Sequence, residues 1–248
     1  MSSVLVYHSI SEPAEPLPGD IDISPKRFEQ QLKWLSRWRR VVPLTQTLTR
    51  AGSRGSVAIT FDDGYRDNLT VALPLLEKFG LPMTLFVVAG FVDDDGYLSE
   101  EELREMSRHP LVTIGSHGLW HRNFNSLTTD DAEFELKESK QRLEEMIAGK
   151  VDLLAWPYGE CSPDVERLSG ACGYRASWSV WKGSNGAHSR WRVPLGCRDH
   201  MIRFIAKSSG VYALTEARLH RAKDRSRHVP ATAATDNATV TTRLKRIA

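Results

Sequence analysis

Short β-branched or apolar runs alternate with stretches of helical period along most of this chain, and that alternation restricts the fold more than any other feature. Residues 4–7, 40–42, 57–61, 83–88, 112–114, 153–156, 174–178 and 192–195 read as strands. Between them, Ser24-Pro25 opens a helix whose apolar residues Phe28, Leu32 and Leu35 recur at helical spacing. A second helix is expected over 68–79, stopped by Gly80 with Pro82 beyond it. Ser99 and Glu102 spell a capping box for the next helix. Thr128 or Thr129 opens a long polar-faced helix ending near Gly149, Ser162-Pro163 caps another, and a last helix is expected near 199–207. Elements in this order imply parallel strands with outer helices, closed or nearly closed as a barrel.

At 248 residues, 41% hydrophobic and 26% charged, the chain suits one large soluble α/β domain. No apolar run approaches the roughly 18 residues that span a bilayer. The opening Met1-Ser2-Ser3-Val4-Leu5-Val6-Tyr7-His8 lacks the basic and apolar regions of a signal peptide, so a cytoplasmic location is expected. Cys161, Cys172 and Cys197 are too sparse for a disulfide framework and read as reduced, structural thiols. The net charge of +2 hides an asymmetry, because residues 218–248 hold eight Lys/Arg against two Asp. Residues 1–216 are therefore read as the folded domain and 217–248 as a basic, disordered tail. That tail offers at most a weak contact with an anionic membrane surface or polymer, and no nucleic-acid partner is expected.

The chemistry-bearing residues gather where such a fold would want them. His8, Asp62-Asp63, Ser116-His117 and Pro157-Tyr158 each fall just past the carboxyl end of an expected strand, the face on which barrel enzymes build their sites. Two adjacent carboxylates are costly to bury unless a metal or a proton resolves their repulsion. His117 and His121, four residues apart, share a face on a helical turn and can grip one ion together. Asp63, His117 and His121 then form a facial ligand set suited to metal-assisted hydrolysis. The plainer alternative makes Asp63-Gly64 a turn and the histidines a surface pair. Taken together, the clusters favour a metal site, with zinc the best match and cobalt, nickel or manganese tolerated.

The segments Thr60-Phe61-Asp62-Asp63-Gly64-Tyr65, Ser116-His117-Gly118-Leu119-Trp120-His121 and Trp156-Pro157-Tyr158-Gly159 resemble the three leading motifs of the NodB-type polysaccharide deacetylases, carbohydrate esterase family 4. The resemblance extends over most of the chain, from about Val4 to Ile205. It implies a deformed (β/α) barrel of about seven parallel strands and the removal of acetyl groups from N-acetylated, less often O-acetylated, sugars. It also implies that Asp62 is the catalytic base and that Asp63, His117 and His121 are the metal ligands. Pro157 and Tyr158 would line the site, with the Tyr158 N–H as an oxyanion donor. One departure stands out: many members carry an arginine that tethers the catalytic aspartate two residues before the proline of the third motif, where this chain has Ala155. The later motifs that would supply a general acid have no clean counterpart, which leaves His8, His188 and His200 as candidates.

Aromatic faces stack on sugar rings, so Trp120 and Trp181 are expected to line a glycan groove, whereas Trp34, Trp156 and Trp178 are expected in the core. The leading expectation is a deacetylase acting on an N-acetylhexosamine-containing poly- or oligosaccharide or glycolipid precursor. Two alternatives stay open: hydrolysis of a small non-sugar amide, and a catalytically idle glycan-binding domain.

Overall fold

The computed structural model describes residues 2–12, 20–52, 54–180, 186–209 and 212. In chain order the main elements are β1 (Ser3–Tyr7), α1 (Pro25–Trp38), β2 (Arg40–Val41), β3 (Ser56–Phe61), α2 (Leu73–Phe79), β4 (Met83–Val87), α3 (Glu100–Ser107) and β5 (Val112–Ser116). They continue with α4 (Thr129–Ile147), β6 (Leu153–Ala155), α5 (Pro163–Ala171), β7 (Ala176–Ser179), β8 (Arg190–Trp191), β9 (Val193–Pro194) and α6 (Met201–Lys207).

Among the described residues every strand pairing is parallel, in the order β8-β7-β6-β5-β4-β3-β1-β9, with β2 beside the start of β3. The two ends of this sheet are neighbours in sequence. Trp178 and Ser179 of β7 pair with Arg190 and Trp191, while Leu5 and Val6 of β1 pair with Val193 and Pro194. Only Arg192 lies between, so residues 190–194 form one bent stave touching both ends of the sheet, and the barrel closes through it. Counting β8 and β9 as one stave and leaving out β2, the nine strands make the seven staves expected.

Side chains alternate across each strand. One face of the staves sends Val4, Ala58, Phe86, Leu153, Ala155, Ala176 and Trp178 into an inner cluster. The other face sends Leu5, Tyr7, Ile59, Phe61, Met83 and Leu85 outward against Phe28, Leu32 and Leu35 of α1 and the neighbouring helices. Phe28 is fully buried, edge-on to Tyr7 at 5.1 Å and to Phe61 at 5.8 Å. Tyr7 adds a hydrogen bond to Gln31 at 2.9 Å. Trp156 and Trp178 are fully buried and Trp34 packs on Phe204, as expected of core tryptophans.

The local punctuation is as read from the sequence. Ser24 caps α1 with Pro25 at its first position, and Gly80 ends α2 with a φ of 63°. The Ser99–Glu102 capping box is complete, with bonds of 2.9 and 3.2 Å. Several boundaries differ, among them β5, which runs on to Ser116, and the strand expected over 192–195, which is the two short strands Arg190–Trp191 and Val193–Pro194. The helix expected from residue 68 starts as a π-turn, Asn68–Ala72, before becoming α-helical. β7 begins at Ala176, and α6 at Met201. No described helix is long and apolar enough to cross a membrane, and the expected tail, 217–248, lies outside the described residues.

The ring contacts at Phe28 make a quantitative expectation: Phe28→Ala should cost about 3–5 kcal/mol, the usual range for deleting a buried aromatic. Urea denaturation measures it, and a loss below about 1 kcal/mol would show that this face collapses around the gap.

Candidate metal centre

The carboxyl ends of β1, β3, β5 and β6 converge on one mouth of the barrel. Strand parity explains Asp62. With Ala58 and Thr60 facing inward on β3, the next inward position is Asp62, and its N–H continues the ladder to the Tyr7 carbonyl at 3.0 Å. At Asp63 the chain turns sharply through a φ of 74°, a conformation that costs a non-glycine residue about 1–3 kcal/mol and persists only where its surroundings impose it. Both carboxylates stay near His117 Nε2, Asp63 Oδ1 at 3.5 Å and Asp62 Oδ2 at 3.8 Å.

Asp63 Oδ1 lies 3.5 Å from His117 Nε2 and 3.4 Å from His121 Nε2. The three ligand atoms lie within 4.8 Å of one another. Asp63 Oδ1 is buried and has no hydrogen-bond partner, and an anionic oxygen left so between two imidazoles is what a cation site requires. His117 Nδ1 is 2.9 Å from the Ala155 carbonyl, an oxygen that can only accept, so Nδ1 carries the proton and Nε2 offers its lone pair to the centre. The residues present therefore fit a divalent cation.

The histidines do not meet on a helical turn, contrary to expectation. Residues 117–121 form a loop in which Gly118 has a φ of 82° and His121 a φ of 52°, and this path brings the two rings to 5.1 Å. Tyr158, also at positive φ (59°), is mostly exposed and sets its ring 4.8 Å from that of His121. Pro157 is buried, and a Cβ on Gly118 would lie 3.5 Å from its Cγ. It therefore supports the histidine loop from beneath rather than lining an open surface. Trp120 is half-exposed, and Trp181 lies outside the described residues. Tyr65, which closes the first motif, draws the Asp63 pKa down and stacks on Tyr97 at 5.0 Å, extending the aromatic wall.

The largest surprise is Arg192. From the bend of the closing stave its guanidinium enters the barrel fully buried and clasps Asp62 through Nη1–Oδ1 at 2.6 Å and Nη2–Oδ2 at 2.7 Å. Nη1 also reaches Thr60 Oγ1 at 3.3 Å, and the guanidinium carbon lies 5.2 Å from the Phe86 ring centroid. The tether that Ala155 cannot supply thus comes from a different strand. A signal was present: an arginine flanked by Trp191, Val193 and Pro194 in an expected strand calls for a buried anion.

The two neighbouring acids are driven apart. Burial alone would raise Asp62, but the charge of Arg192, then His117 and the bidentate bond, outweigh it and hold the pKa near 2. For Asp63 burial and the charge of Asp62 act together and push it to about 7. Burial draws His117 down to about 3, so it is neutral and ready to ligate.

Of the three further histidines, only His8 belongs here. Burial lowers its pKa, the anionic Asp62 opposes that shift, and Arg192 and His121 add to it. Its Nδ1 is buried without a partner. Asn68, at the start of the π-turn, donates to the His8 carbonyl at 2.8 Å, and Asp67 accepts from Ser9 at 2.5 Å, so the loop after β1 is pinned. His188 instead bonds Ser169 on α5 at 3.0 Å, with Glu166 and Arg190 as its charged neighbours. His200 is the exposed residue preceding α6.

The sequence model of the polysaccharide deacetylase family matches residues 49–177, more than half of the chain. The chain belongs to the polysaccharide deacetylase family. Within that family it is 30% identical over 178 residues to the putative polysaccharide deacetylase YxkH of Bacillus subtilis, a match covering 69% of this chain and 62% of that one. It is 29% identical over 176 residues to a poly-β-1,6-N-acetyl-D-glucosamine N-deacetylase of Staphylococcus aureus, covering 64% and 61%. The matches therefore span less than two thirds of these relatives' length. Among solved structures, the Streptococcus pyogenes deacetylase PplD in complex with acetate superposes with a TM-score of 0.75 at 21% identity, covering 84% of this chain and 97% of that one. A putative polysaccharide deacetylase from Bacillus anthracis gives 0.75 at 24%, covering 84% and 68%. At these identities the structural matches establish the barrel fold of the family.

The pKa of Asp63 bears on loading. Without a cation its carboxyl keeps a proton up to about pH 7, and a ligating carboxylate must give that proton up. Affinity for Co2+ should therefore fall roughly tenfold per pH unit below about 7 and level off above it. Titrations at several pH values measure this, and a flat profile through pH 5–7 would contradict it.

Proposed function

We propose that this chain is a metal-dependent deacetylase that hydrolyses the acetamide of N-acetylhexosamine units in a poly- or oligosaccharide or a glycolipid precursor. The observation carrying the reading is the orphaned Asp63 Oδ1 facing two histidine Nε2 atoms, with a second, non-ligating carboxylate locked beside it. The Staphylococcus aureus relative, whose name specifies an N-acetylglucosamine polymer, supports the substrate class. Asp63, His117 and His121 would hold one divalent ion, with zinc the best match to two imidazoles and a carboxylate. When bound, such an ion supplies Lewis acidity toward a carbonyl and eases the deprotonation of water.

The remaining roles fall to the chain's own side chains. Asp62, ionised at all ordinary pH and held off the ligand set by Arg192, accepts the proton of the attacking water. The Tyr158 N–H, displayed on a strained backbone at the mouth, donates to the developing oxyanion, a role worth about 3–4 kcal/mol for one donor. His8, within the fields of Asp62 and His121, passes the proton that Asp62 accepts on to the departing amine. Trp120 and the exposed ring of Tyr158 offer faces to sugar rings. The idle-domain alternative rested on a missing tether and an unassigned general acid, and the Arg192–Asp62 pair speaks against the first of these.

Mass spectrometry of N-acetylated glucosamine oligosaccharides incubated with Zn2+- or Co2+-loaded protein tests the assignment. Loss of acetyl groups by the native chain but not by Asp63→Ala is expected, and intact oligosaccharides with a loaded native protein would reject it. His8→Ala should slow amide hydrolysis by about 10²–10⁴ while sparing an aryl acetate, whose leaving group needs no proton. Equal losses on both substrates would remove His8 from the acid role.

Arg192→Met removes the largest of the influences that hold Asp62 ionised against burial. The acid limb of kcat/KM should then move up by roughly a pH unit or more, with a stability loss of about 3–5 kcal/mol from the unpaired buried charge. An unmoved limb would assign the titrating base elsewhere.

A further inference from the structure

Glu135 lies on α4, outside every role given above, yet only 1% of its surface is exposed. Its Oε2 accepts two consecutive backbone N–H groups, Leu119 at 2.9 Å and Trp120 at 3.1 Å. Both lie between His117 and His121. Two successive amides aimed at one oxygen make a small anion nest, and here the anion is a side chain of the same molecule. Oε1 has no hydrogen-bond partner, and its nearest cation is Arg122 Nη1 at 3.9 Å. Keeping a carboxylate in such surroundings is costly unless its charge-assisted bonds offset the loss of water.

The loop is gripped from its other edge as well. Ala89 N–H donates to Gly118 O at 3.0 Å and Gly90 N–H to Leu119 O at 2.9 Å. The Trp120 ring lies so close on Gly90 that a Cβ there would come within 2.4 Å of it. Glu135 is thus the clamp on one side and residues 89–90 the rail on the other. The next residue is His121, with its φ of 52°. A strained backbone at a ligand holds its shape only when its neighbours over-determine it, and Glu135 supplies two of those constraints.

We propose that Glu135 is a positioning residue: its carboxylate, seated on the Leu119 and Trp120 amides, sets the reach of His121 toward the cation and the pose of Trp120 at the mouth. The proposal rests on the reading that Asp63, His117 and His121 bind a divalent ion. The test is Co2+ titration of the full-length chain, followed by visible absorption and chelator competition, for the native protein, Asp63→Ala, Glu135→Gln and Glu135→Ala.

Outer partners of metal ligands typically govern affinity by 10–100-fold. Glu135→Gln, which keeps an acceptor but loses the charge, should weaken Co2+ binding about tenfold, and Glu135→Ala about 100-fold. Both should alter the shape of the Co2+ absorption band. If Glu135→Ala does not fold, Glu135→Gln decides alone. Affinity within twofold of native and an unchanged band in Glu135→Gln, even with a lowered melting temperature, would show mere packing and overturn the proposal. A native protein that takes up no Co2+, or an Asp63→Ala variant that binds it equally well, would instead overturn the metal site itself, and this proposal with it.

Discussion

The Arg192–Asp62 ion pair is the constraint around which the rest of the molecule is arranged. Both side chains are buried in the barrel, where each charge alone would be prohibitively costly. Bidentate geometry, with bonds of 2.6 and 2.7 Å, makes the pair tolerable. Its position matters as much as its strength. Arg192 is the hinge of the stave that joins the two ends of the sheet, so one residue closes the barrel and fixes the carboxylate at its mouth.

That pair also divides the labour of two neighbouring aspartates. Burial acts on both and Arg192 draws both down, but only Asp62 holds the guanidinium in a bidentate bond, and for Asp63 burial and its neighbour's charge prevail. One stays an anion, while the other keeps a proton up to about pH 7. The carboxylates of two adjacent residues thereby differ in protonation, a difference set by environment rather than by residue type.

Three of the six non-glycine residues at positive φ among the described residues lie where the chemistry is proposed. Asp63, His121 and Tyr158 all adopt positive φ, and each is braced by ordered neighbours. Leu98 N–H bonds the Gly64 carbonyl beside Asp63, Glu135 holds the loop leading to His121, and the Gly159 carbonyl after Tyr158 accepts from Val180. The barrel staves are the rigid frame that makes such bracing effective.

Much of this was legible in the residue order. Period-two and helical patterns placed the staves and helices, and the capping residues Ser24, Ser99 and Gly80 act as their chemistry demands. The Phe61-Asp62-Asp63-Gly64 and His117-to-His121 segments marked the site. Two contributors escaped notice, although each left a trace: Arg192 is a cation inside an apolar strand, and Glu135 shares the buried stripe of α4 with Ala132, Leu136, Ser139 and Leu143. The helical turn expected for His117 and His121 was a wrong reason for a correct juxtaposition. Residue order by itself determined the family of fold and the candidate ligand residues, because periodicity and short motifs are local properties of a chain. Only the tertiary structure decided that Arg192 reaches Asp62 and that Glu135 reaches the histidine loop. Those contacts cross 130 and 15 or 16 positions, and they exist only once the barrel has closed and α4 has packed against it.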